Sequence, residues 1–135
     1  MRDFFLKKQI DLEIDSAGTS GYHIGESPDI RAIECLRKKG IDISGLKARQ
    51  LRHEDYIYYD HLLVMDRNNL KDVVNNCPRR DLISKVRLFR EFDNNPREQI
   101  IPDPYYGGDH EFENVYKLCV SATENFYLTH HFKPE

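Results

Sequence analysis

Residues 53–76 read HEDYIYYDHLLVMDRNNLKDVVNN, and the order of patterns in this stretch sets the fold. It opens with a short helical stretch. The apolar run Leu62–Met65 then reads as a buried strand that ends at Asp66. From Asp66 the spacing of Leu70, Val73 and Val74 predicts a helix. A strand that runs straight into a helix is the unit of α/β architecture.

The same alternation continues outward in both directions. Downstream, PRRDLISKV (78–86) predicts another helical turn or two, and VRLFREF (86–92) a short strand. Upstream, IDLEIDSAG (10–18) alternates apolar and polar residues with period two, which predicts a strand followed by a loop. SPDIRAIECLRKKG (27–40) predicts a helix with Ser27 as N-cap, Pro28 in the first turn and Gly40 as the stop. MRDFFLKKQ (1–9) has helical spacing but no cap, as though the chain began inside a helix. In the last segment Phe112, Val115, Tyr116, Cys119, Val120 and Phe126 fall on one helical stripe, which predicts a helix packed on the sheet. The expectation is one α/β domain over residues 1–135 with a mostly parallel sheet. In such sheets ligands sit at the carboxyl ends of strands. DSAGTSGY (15–22), MDRNN (65–69) and DPYYGG (103–108) all fall there.

Composition narrows the function. A net charge of −3, with basic residues scattered among acidic ones, leaves no concentrated basic face and argues against a nucleic-acid partner. No apolar run reaches membrane-spanning length, and the N-terminus lacks a signal-peptide pattern, so the cytoplasm is the expected compartment. The three cysteines, Cys35, Cys77 and Cys119, are odd in number and far apart, which fits reduced thiols. The six histidines are dispersed without metal-ligand spacing, His130 and His131 are expected in solvent, and neither metal nor cofactor is expected.

Three features of the sequence bear on its chemistry. GIDISGLK (40–47) has the gap of a phosphate-binding loop, but Leu46 stands where lysine must follow, and a helix stop plus a turn explains it. Asp103-Pro104-Tyr105-Tyr106 joins a carboxylic acid to two rings. The acid suits protonation of a phenolate leaving group, and the rings suit an aromatic body. The competing reading is a loop whose tyrosines cover the sheet edge. A thiolate nucleophile wants backbone N–H groups and an arginine around it. Six residues beyond the cysteines stand Ile41, Ile83 and Asn125 instead. Cys35 and Cys119 read as core residues, and Cys77 lies in a loop.

DSAGTSGYHIGESPD, KARQL, HLLVMDRNNL and DPYYGG, in this order, resemble the low molecular weight protein-tyrosine phosphatases from Met1 to the last helix. The resemblance implies a doubly wound sheet with helices on both faces. It implies that Asp103 is the proton donor, and that Tyr22, Tyr105 and Tyr106 wall the substrate slot. Ser16 matches a residue supporting the phosphate loop, Arg31 and Asp66 match structural positions near the rim, and His23 falls where members vary. The implied substrates are phosphotyrosine proteins or small aryl phosphates. Arsenate reductases share the scaffold but need a relay of further cysteines, and centrally only Cys77 is available.

Two departures stand out. The family's first strand and its Cys-x5-Arg-Ser loop, which carries the nucleophile, have no counterpart in these residues, and Leu46 replaces a histidine common in the family. An internal start codon in a full phosphatase would explain the first, and so would an inert relative that serves as a protein-binding module. Since the missing strand is central, the chain is expected to be marginally stable, to self-associate through open sheet edges, and to leave a gap between residues 10–15 and 61–65. As it stands it is expected to be inactive.

Overall fold

The computed structural model describes residues 1–93 and 99–132. Seven elements follow one another: helices α1 (Arg2–Lys7), α2 (Ile30–Arg37) and α3 (His53–Tyr58), strand β1 (Leu62–Val64), helix α4 (Arg67–Asn75), strand β2 (Val86–Leu88) and helix α5 (Asp109–His130). Short 3-10 segments, Arg80–Lys85 and Phe89–Phe92, flank β2.

β1 and β2 pair in parallel, Leu62 with Val86, Leu63 with Arg87 and Val64 with Leu88. The connection between them runs through α4, the crossover that a parallel pair requires. Asp66 is its N-cap and accepts from the Asn69 N–H at 2.8 Å. Alternation along β1 places helices on both faces of the sheet. Leu62 and Val64 pack with Tyr56 of α3, Val73 of α4 and Leu82. Leu63 packs on the other side, where Phe89, Ile101 and Ala122 form one cluster and Phe5, Ile10 and Phe126 another. α5 therefore covers one face of the sheet, and α3 with α4 covers the other. Lys85 reaches across to the Tyr56, Ile57 and Tyr59 carbonyls at 2.9–3.3 Å and satisfies the open end of α3.

The expected strand at residues 10–15 does not form. Leu12 and Ile14 do face the Phe5–Phe126 cluster, as their period-two pattern requires. A strand, however, is defined by hydrogen bonds to a neighbour, and among the described residues no strand pairs with this segment. It runs on to a single bridge, where the Gly18 N–H donates to the Arg49 carbonyl at 2.9 Å and the Leu51 N–H to the Gly18 carbonyl at 2.8 Å. Leu12 and Ile14 share the Phe5–Phe126 cluster with Leu63 of β1 without pairing to it, and a cavity of about 370 Å³ lies between Asp15–Thr19 and β1.

α2 begins two residues later than the sequence pattern suggested. Asp29, not Ser27, is the N-cap, accepting from the Arg31 N–H at 2.8 Å. Asp29 Oδ1 also accepts from Arg31 Nε at 3.2 Å, so one carboxylate holds both the free N–H and the side chain of the first turn, and Ser27 and Pro28 precede the helix. Gly40 ends the element at φ 78°, a left-handed conformation that glycine adopts without a Cβ penalty.

Candidate functional site

The acid-bearing loop is built at the carboxyl end of β1. The Ile101 N–H donates to the Met65 carbonyl at 2.7 Å, which anchors the segment beside the strand end. Asp103 is exposed, and its Oδ1 accepts from the Tyr105 N–H at 3.0 Å. The carboxylate thus turns back over its own loop through one oxygen rather than pointing wholly away from it. A turn closed by Gly107 N–H to the Pro104 carbonyl, 2.9 Å, puts Tyr105 and Tyr106 at its two corners. Their rings meet edge to face at 5.0 Å and remain 59% and 97% exposed. Any Cβ on Gly107 would lie 2.3 Å from Glu111 Cγ, so the close approach of the turn to the first turn of α5 requires glycine. Arg31 ties the turn to α2: its Nη1 and Nη2 donate to the Gly107 and Tyr105 carbonyls at 2.8 and 2.7 Å.

Across the rim, Ser16 ends a polar chain. Its N–H donates to Asp15 Oδ1 at 2.8 Å, and Asp15 Oδ2 accepts from Arg49 Nε at 3.0 Å. Arg49 also forks onto Asp55 at 2.8 and 3.1 Å, and Asp55 is only 5% exposed. Burial pushes both carboxyls up, but hydrogen bonds outweigh it and hold both below the usual range. Those bonds come from the Ser16 N–H and Arg49 for Asp15, and from Arg49 and the Arg52 N–H for Asp55. Tyr22 is 91% exposed, and its N–H donates to Ser20 Oγ at 3.1 Å. His23 Nδ1 lies 3.0 Å from Glu26 Oε2.

The three loops converge on one rim. Ser16 and Gly18 share the cavity beside β1 with Met65. A second, larger cavity of about 720 Å³ joins Ser16 to Pro104, over a floor that includes Ala32, Leu36, Val115 and Cys119. Asp103, Tyr105 and Tyr106 are brought together in one turn, with Ser16 across the cavity. Tyr22, Asp103, Tyr105 and Tyr106 line neither cavity, and of their loops only Pro104 and Asp15–Thr19 do.

Cys35 and Cys119 are not activated as thiolates. Burial pushes the Cys119 thiol up. Cys35 is pushed up by burial and by Glu113, whose Oε2 lies 3.4 Å from its sulfur. Both are half-buried rather than fully in the core. Cys77 Sγ donates to the Arg79 carbonyl at 3.1 Å. The histidines are less dispersed than the sequence suggested. His130 is half-buried with its ring 4.7 Å from that of His61, both against Phe126.

Two residues of consequence lacked an assigned chemical role in the sequence reading. Arg49 lies within KARQL, and its spacing from Asp55 is the available signal. Arg31 follows Asp29 by two residues, a spacing that suits a self-oriented ion pair.

Comparison with known proteins gives the same frame. The family model "Low molecular weight phosphotyrosine protein phosphatase" matches residues 1–133. The human protein of that description is 42% identical over 120 residues, spanning 84% of this chain and 71% of its own length. The Schizosaccharomyces pombe protein of the same description is 38% identical over 113 residues, spanning 84% and 71%. Among solved structures, a low molecular weight phosphotyrosine phosphatase of Vibrio cholerae O395 superposes with a TM-score of 0.85 at 28% identity, covering 96% of this chain and 83% of that one.

Proposed function

The chain belongs to the low molecular weight phosphotyrosine protein phosphatase family, and from that premise we propose that it is a protein-tyrosine phosphatase domain acting on phosphotyrosine proteins or small aryl phosphates. Asp103 is the proton donor. It gives its proton to the phenolic oxygen as a cysteine thiolate takes the phosphoryl group, so that the P–O bond breaks while a P–S bond forms. It then takes a proton from the water that cleaves the phosphocysteine. Tyr105 and Tyr106, with Tyr22 from the facing loop, wall the slot for the ring, and Ser16 supports the loop that would hold the phosphate. The observation that carries this reading is the single turn uniting the Asp103 carboxylate with two exposed rings at a strand end.

The 135 residues supply the acid and the slot but no Cys-x5-Arg-Ser loop. On their own they should not turn over para-nitrophenyl phosphate. Turnover by the purified chain that Asp103→Asn abolishes would overturn this. When the chain is joined to a strand and a Cys-x5-Arg-Ser loop, Asp103→Asn should slow phenyl phosphate cleavage by about 10²–10⁴-fold. The loss should shrink for leaving groups that need no proton. Equal losses on both kinds of substrate would remove Asp103 as the acid.

Self-association belongs to the same proposal. Among the described residues β1 pairs with β2 alone, so its other edge faces the cavity and can accept a strand from a second copy. Sedimentation should show concentration-dependent association that Ile14→Lys weakens. A monomer at all concentrations would exclude it.

A further inference from the structure

We propose that Arg31 is a positioning residue for the reaction: it locks the carbonyl frame of the 105–107 turn to helix α2 and thereby sets where the Asp103 carboxylate stands relative to the bound ring. The inference rests on the reading of Asp103 as proton donor. Arg31 lies in the first turn of α2 and is itself held from below. Asp29 Oδ1 accepts from its Nε at 3.2 Å, and Asp29 Oδ2 accepts from its Nη2 at 3.0 Å. The same Asp29 Oδ1 caps the helix, so one carboxylate fixes both the helix start and the guanidinium plane. The guanidinium carbon sits 4.7 Å from the Phe112 ring centre and 5.8 Å from that of Tyr105, sandwiched between α5 and the turn. Residues more than seventy positions apart in sequence are thus joined through one planar group.

The turn needs such a brace. It is largely exposed, it contains Gly107 and Gly108, and among the described residues its own hydrogen bonds span only neighbouring residues. Proton transfer demands a donor–acceptor distance of roughly 2.6–3.2 Å, and a misplacement of about 1 Å costs on the order of 10²-fold in rate. A lysine cannot reproduce the clamp, because a point charge on a flexible stem lacks the fork that reaches two carbonyls while stacked between rings.

Hydrogen exchange on the 135-residue chain tests the clamp directly. Arg31→Gln should speed exchange of the Tyr105–Gly108 amides by about tenfold or more and leave the 115–126 amides of α5 unchanged. Arg31→Lys should fall between the two, as should Asp29→Asn, which keeps a capping oxygen. In fluorotyrosine-labelled protein the Tyr105 ¹⁹F resonance should move to its solvent position in Arg31→Gln. In the chain joined to a Cys-x5-Arg-Ser loop, Arg31→Gln should lower kcat for phenyl phosphate by about 10–100-fold with little change in KM. It should spare dinitrophenyl phosphate, whose leaving group needs no proton. Unchanged turn exchange in Arg31→Gln, or equal kcat losses on the two substrates, would overturn the assignment. Should Asp103→Asn itself prove indifferent to the leaving group, the proton-donor reading and the catalytic consequence both fall, while faster turn exchange would still establish the clamp as structural.

Discussion

The 101–108 loop and the 10–19 segment meet at the same rim but are held in opposite ways. The loop has no regular structure, yet it is braced by the Arg31 side chain from α2 and by two main-chain bonds, Gly107 to Pro104 and Ile101 to Met65. The 10–15 segment carries the clearer sequence pattern, yet among the described residues no strand pairs with it. It is held by the apolar cluster beneath it and by the Arg49 network at its end. A loop can therefore be fixed by a few long side chains, whereas a strand depends on a partner backbone whatever its own residues prefer.

The largest effect should come from removing the apolar support under the 10–15 segment. Phe5 is 1% exposed and meets Phe126 and Phe132 edge to face. Phe5→Ala should cost about 3–5 kcal/mol in denaturant unfolding. A loss under ~1 kcal/mol would mean the segment is not held by this cluster.

Arg49→Ala comes next. It leaves Asp55 buried without its fork and takes one partner from Asp15, and it should cost about 2–4 kcal/mol, less than a fully buried pair because Arg49 keeps some exposure. The same network sets an acid limit. Asp15 and Asp55 are held below the usual carboxylate range, so their stabilisation is complete above about pH 4 and is lost as pH falls through their lower folded values. Arg49→Ala should flatten that part of the stability–pH curve, which a melt series reads directly.

A smaller effect is expected at His61. Burial, with His130 opposite and Arg87 and Lys85 near, pushes its pKa below the ordinary value of about 6.5, against the pull of Asp60. The fold therefore favours the neutral ring. Stability contributed here is full above about pH 6.5 and declines as pH falls from there toward the folded pKa. His61→Phe should remove that slope, and an unaltered slope would place its origin elsewhere.

The smallest effect sharpens the contrast. Asp103→Asn should change stability by no more than about 0.5 kcal/mol, because the residue is exposed and asparagine preserves the same turn. A large loss would mean that Asp103 helps hold the fold rather than stands ready for chemistry.

Much of this molecule follows from the sequence by itself. The run Leu62–Met65, the cap at Asp66 and the strand at Val86 predict a parallel pair joined by a helix, and Gly40 predicts where α2 stops. The loop after β1 follows in the same way, because it depends on patterns within a few residues of one another, whereas DSAGTSGY was expected after a strand that does not form. The turn of Asp103, Tyr105 and Tyr106 was legible for the same reason. What tertiary structure decided is what depends on distant partners. Period two at residues 10–15 could not report whether another backbone would lie alongside. The start of α2 was settled by whether Ser27 or Asp29 had an oxygen in reach of a free N–H. The nearness of His61 to His130, the fork of Arg49 and the grip of Arg31 on a turn seventy residues away share one cause. A hydrogen bond or a ring contact needs only a few ångströms in space, and local spacing along a chain does not encode which distant residues will come that close.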